Sequence, residues 1–101
     1  ENNFTLEDCI LIIRSFSIKL KRLQKIHQEY QKNKNLESII SSFKPPIFWK
    51  DKDNIKRQIT NSRLEGIENM IFKTNDIELL IKKNSNNAVN IMSDFIISTS
   101  R

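Results

Sequence analysis

Phe43-Lys44-Pro45-Pro46-Ile47-Phe48-Trp49-Lys50-Asp51-Lys52 separates two strongly helical segments. Proline fixes φ and carries no backbone N–H, so no helix runs through Pro45 and Pro46. Three bulky apolar side chains, Ile47, Phe48 and Trp49, follow at once on a connector that would otherwise be polar. We expect such a connector to pack back onto the helices it joins. Phe48 is assigned to the core. Trp49 is left open between core and partner anchor, because tryptophan is enriched at binding hot spots.

Working back from the break, Leu36, Ile39, Ile40 and Phe43 give a short second helix one apolar stripe. Before it, Leu6, Cys9, Ile13, Phe16, Leu20, Leu23, His27 and Tyr30 recur at steps of three and four, the period of an amphipathic helix. Thr5 with Asp8 three residues on suits the start of that helix, the acid also matching its dipole. The spacing predicts a long first helix over 6–32. Its seam fits either the spine of a bundle or a dimeric coiled coil. Ile10, Ile12 and Ile26 widen the apolar face beyond a two-stranded seam.

Beyond the break, Asp51 can cap a third short helix carrying Ile55 and Ile59. Ser62-Arg63-Leu64-Glu65 reads as a capping box opening a fourth, which carries Leu64, Ile67, Met70, Ile71, Ile77, Leu80 and Ile81. Thr74-Asn75-Asp76 is a weak stretch expected to loosen that helix. Asn84-Ser85-Asn86-Asn87 is a polar loop, and a last helix carries Ala88, Met92, Phe95 and Ile96. The fold class is all-α: a five-helix bundle with a long first helix and a Pro-Pro break after the second, one domain of 101 residues.

Seventeen Lys and Arg against twelve Asp and Glu give a net charge of +5, a mild attraction to polyanions. Lysine, isoleucine and asparagine all have A/T-rich codons, so genome composition accounts for part of that excess. One cysteine, Cys9, rules out an internal disulfide and points to a reducing compartment. No apolar run approaches the ~20 residues of a membrane span, and no leader-like pattern opens the chain, so a soluble, cytoplasmic protein is expected. The chain begins at Glu1 rather than Met, which we read as the mark of an excised or processed piece.

Catalytic motifs are missing. With a single glycine, neither a P-loop nor a dinucleotide fingerprint can be written, and no Gly-x-Ser-x-Gly or Ser-x-x-Lys pattern occurs. His27 is the only histidine and falls on the apolar seam, far from other metal ligands in sequence; we read it as structural. Cys9 reads as a small buried hydrophobe. Glu78 and Lys82, spaced i, i+4, read as a surface ion pair. Neither a cofactor nor a metal nor catalysis is expected. Arg14, Lys21, Arg22, Lys25 and Lys32 are expected to project outward from the first helix as a solvated face, or as a contact for phosphates or an acidic partner.

Taken together, Pro45-Pro46-Ile47-Phe48-Trp49-Lys50 with the downstream Gln58 resembles the Pro-Pro-Val-Phe-Phe-Lys segment and glutamine of the delta subunit of bacterial DNA polymerase III, a clamp-loader component. Ile67-x-x-Met70-Ile71 followed by Glu78-Leu79-Leu80-Ile81-Lys82 is similar to a helix of that family's C-terminal domain. The resemblance implies a non-catalytic helical collar domain, the last third of a longer protein. It would pack against loader subunits of the ATPase and delta-prime type and support clamp loading in DNA replication, touching DNA only through the assembly. Ile10 and Ile12 on the first helix and Phe95 and Ile96 on the last are the expected partner interface. Two other readings remain: a basic helical nucleic-acid-binding module and a homodimeric coiled-coil adaptor.

Overall fold

A computed structural model describes residues 5–99. Five α-helices occur in the order expected: α1 (Leu6–Lys32), α2 (Leu36–Ser42), α3 (Lys52–Asn61), α4 (Leu64–Lys83) and α5 (Ala88–Thr99). Single 3-10 turns, Trp49–Asp51 and Ser85–Asn87, precede α3 and α5. No strand occurs among the described residues.

Cap chemistry explains several boundaries. Thr5 and Asp8 form a reciprocal box at the start of α1. The Asp8 amide donates to Thr5 Oγ1 (3.1 Å), and the Thr5 amide donates to the Asp8 carboxylate (3.0 Å). Asn35 caps α2, its side-chain oxygen accepting from the Ser38 amide at 3.2 Å, which sustains a helix of only seven residues. The Lys44–Pro45 peptide bond is cis.

Three local expectations are corrected. Asp51 stands at the cap of α3 but makes no capping bond with its side chain, because the preceding 3-10 turn feeds straight into the helix. Ser62 is the extended C-cap of α3, and α4 begins at Leu64, with the Ile67 amide donating to the Arg63 carbonyl. Arg63 therefore holds the position assigned to Ser62. Nor is α4 loosened at 74–76. Thr74 is completely buried, and its packing carries the helix through a stretch of low intrinsic propensity.

The chain divides into two compact units, both drawing on α1 and α4. One comprises residues 5–19 and 71–99. Cys9, Ile13, Ile71, Thr74, Ile81, Met92 and Phe95 are buried there, and the Phe16 and Phe95 rings meet edge to face at 5.8 Å. The other is Leu20–Met70. Its core joins Ile26 of α1, Ile39 and Ile40 of α2, Ile47 of the connector, and Ile55 and Ile59 of α3. Leu23, Tyr30, Leu36 and Phe43 flank it. Every member of the predicted α1 seam is buried or half-buried, as the period of three and four requires.

Candidate functional site

Large apolar side chains remain at the surface of the unit formed by residues 5–19 and 71–99. Leu11 and Ile18, seven apart on α1, share a face. So do Phe72 and Leu79 on α4, and all four are more than half exposed. Ile12 and Ile96 stand 37% and 44% exposed on either side of a groove of about 360 Å³ between α1 and α5. Ile13, Phe16 and Phe95 also line it, and Ser15, Lys19 and Thr99 supply its polar edge.

Of the four residues expected to meet a partner, Ile12, Phe95 and Ile96 thus come together. Phe95 is corrected from surface to core: it is 4% exposed and held edge-on by Phe16, so it contributes to the groove wall and not to a free face. Ile10 is half-buried and does not line the groove. Leu11 belongs to the Ile10-Leu11-Ile12-Ile13 face that motivated the expectation, whereas Ile18, one heptad on, was missed. Its i, i+7 spacing from Leu11, on the polar side of the predicted seam, was the available signal.

Electrostatics on this unit are balanced and local. Glu78 accepts from Lys82 (3.0 Å) and, across from α4 to α1, from Arg14 Nε (3.2 Å). The hydrogen bond from Lys82 is the largest influence holding the Glu78 carboxyl below its ordinary range; burial opposes it and Arg14 reinforces it. The expected i, i+4 pair is therefore also a helix-to-helix tie. Cys9 is fully buried, and burial, with a smaller contribution from Asp8, pushes its thiol up. That setting suits a packing residue and disfavours a reactive thiolate.

In the unit Leu20–Met70, His27 is buried. Its Nε2–H donates to the Ser62 carbonyl at 2.9 Å, and its Nδ1 accepts from Gln31 at 3.2 Å. Both ring nitrogens are engaged within the protein, tying α1 to the α3–α4 junction. No cluster of three or more His, Cys, Asp or Glu among the described residues is placed to hold a metal.

The connector corrects a second assignment. Ile47 is the buried residue, whereas Phe48 is 57% exposed and Trp49 70%. Phe48 is extended (φ −58°, ψ 132°), and side chains adjacent on extended backbone diverge; seating Ile47 in the core turns Phe48 out. Lys50 is exposed beside Trp49, its Nζ 5.4 Å from the ring centroid. Gln58 is exposed on α3. Pro45 and Pro46 are exposed and mark the break between α2 and the turn before α3. Arg22, expected outward, is half-buried, while Lys21, Lys25 and Lys32 are exposed.

No protein-family model, no curated protein and no solved structure matches this sequence. No described helix is long and apolar enough to cross a membrane.

Proposed function

We propose that this chain is a non-catalytic subunit-assembly domain whose partners are proteins, and that the partners are the clamp-loader subunits implied by its resemblance to the delta subunit of bacterial DNA polymerase III. The observation that carries this reading is the exposed apolar side chains of α1, α4 and α5: Leu11, Ile18, Phe72, Leu79 and Ile97 are all more than half exposed, and Ile12 and Ile96 rim a groove between α1 and α5. Large apolar side chains left exposed in number on one small unit favour a place where another protein sits. The seam that suggested a coiled coil is buried within each unit, which leaves little of it for self-pairing. A cytoplasmic, bacterial setting follows from the same resemblance.

The test is charge insertion at the groove rim. Ile12→Glu and Ile96→Glu alter partly exposed positions and should keep the helical melt. They should also abolish complex formation with C-terminal domains of the ATPase and delta-prime-type subunits. Assembly that survives both variants would overturn the reading.

A further inference from the structure

The net charge of +5 is not shared between the two units. Residues 5–19 and 71–99 carry five Lys and Arg against five Asp and Glu, a balance of zero. Residues 20–70 carry eleven against six, so the whole excess lies there. Part of that excess gathers at a polar hollow of about 310 Å³ between α1 and α2. Lys25, Glu29 and Asn33 line it from α1, Ser38 from α2, and Lys44 from the start of the connector. The three α1 residues recur at steps of four and so share one face of the helix. Arg22, three residues before Lys25, stands on the same face.

We infer that this hollow binds a small phosphomonoester. Arg22 is half-buried, and its Nε is buried without a hydrogen-bond partner among the described residues. Buried polar groups are nearly always bonded, so a donor left over beside a hollow calls for an acceptor that the chain does not supply. Lys25 and Lys44 are likewise in no ion pair among the described residues. The Asn33 side-chain oxygen accepts from the Asn35 amide at 3.1 Å, which leaves its NH2 group as a donor, and the Ser38 hydroxyl adds another. Guanidinium and ammonium groups are the usual binders of phosphate oxygens, the former through its planar fork. Three cations against the single Glu29 carboxylate leave +2, which matches the nearly two negative charges of a phosphomonoester. A phosphodiester carries only one. The hollow is at the lower end of the roughly 300–1,000 Å³ of small-molecule sites, so it suits a compact ligand. This inference is independent of the assembly reading, because every residue it uses lies within Leu20–Met70 and none belongs to the surface that reading invokes.

Proton–nitrogen correlation spectra of the intact chain, titrated with glycerol 3-phosphate, read the site directly. The arginine Nε–H groups give their own signals, and Arg22→Lys identifies the one that belongs to Arg22. Binding predicts a saturable shift of that signal, together with the backbone amides around Lys25, Ser38 and Lys44. Lys25→Gln and Lys44→Gln, at exposed positions, should each weaken binding roughly two- to fivefold, the worth of an exposed ion pair. Dimethyl phosphate, which carries one charge, should bind roughly fivefold more weakly than glycerol 3-phosphate. The wild-type titration needs no variant, so a misfolded mutant does not leave the question open. Absence of a saturable shift by about 10 mM glycerol 3-phosphate would overturn the inference. So would saturation that leaves the Arg22 Nε–H signal unmoved, unchanged affinity in both lysine variants, or equal binding of dimethyl phosphate.

Discussion

Replacing His27 by phenylalanine separates what its ring packs against from what its nitrogens bind. Phenylalanine keeps a planar ring in the buried slot beside Tyr30, whose ring meets His27 at right angles with centroids 6.1 Å apart. It removes the hydrogen bond to the Ser62 carbonyl and the one from Gln31. Gln31 is exposed and regains water at little cost, so the loss falls on Ser62. Stranding one polar group costs about 1–3 kcal/mol, and because this bond is only part-buried the lower half of that range applies, about 1–2 kcal/mol. With a urea dependence of the order of 1–2 kcal/mol per molar for a domain of this size, the unfolding midpoint should fall by roughly 1 M. Far-UV circular dichroism against urea measures it. A midpoint unmoved within about 0.2 M would refute the structural role, and a wild-type melt that responds to added zinc or to chelation would contradict the assignment of both ring nitrogens to protein partners.

Other consequences follow from burial and charge. Ile59→Ala, in the core of the unit Leu20–Met70, should cost about 2–5 kcal/mol, whereas Ile18→Ser, at an exposed position, should change stability by less than about 0.5 kcal/mol. Comparable costs for the two would mean that the core is misplaced. Glu78 has a lowered folded pKa, so its contribution is present above the ordinary carboxylate range and is lost as pH falls through the depressed value. Glu78→Gln should therefore cost about 0.5–1 kcal/mol at neutral pH, a small figure because Arg14 and Lys82 are largely exposed, and the two proteins should converge in acid. A difference that persists unchanged into acid would show that the ion pairs are not its source.

The long first helix was fully legible, and for a physical reason. Its eight seam positions recur with the helical period, and Thr5 and Asp8 close its start, so its predicted limits match the observed Leu6–Lys32. The connector was half legible. Two prolines break any helix, but periodicity says nothing about which of Ile47, Phe48 and Trp49 turns inward; only the isoleucine core that Ile47 completes decides it. Phe95 was recognised as a contact residue but placed on the wrong side, since the exposed Ile96 and Ile97 follow it directly in sequence and the edge of Phe16 is needed to seat it. Thr74 looked weak by propensity, yet it is completely buried on α4 and the helix runs through it. The separation of charge was invisible along the sequence, because residues 5–19 and 71–99 come together only through folding.

Assembly with other proteins is tested most directly by sedimentation velocity of the chain alone and mixed with C-terminal domains of the ATPase and delta-prime-type loader subunits of its source. A monomer that joins a defined larger complex only in the mixture is the predicted result. A self-dimer, or a monomer that ignores every one of those subunits, would contradict it.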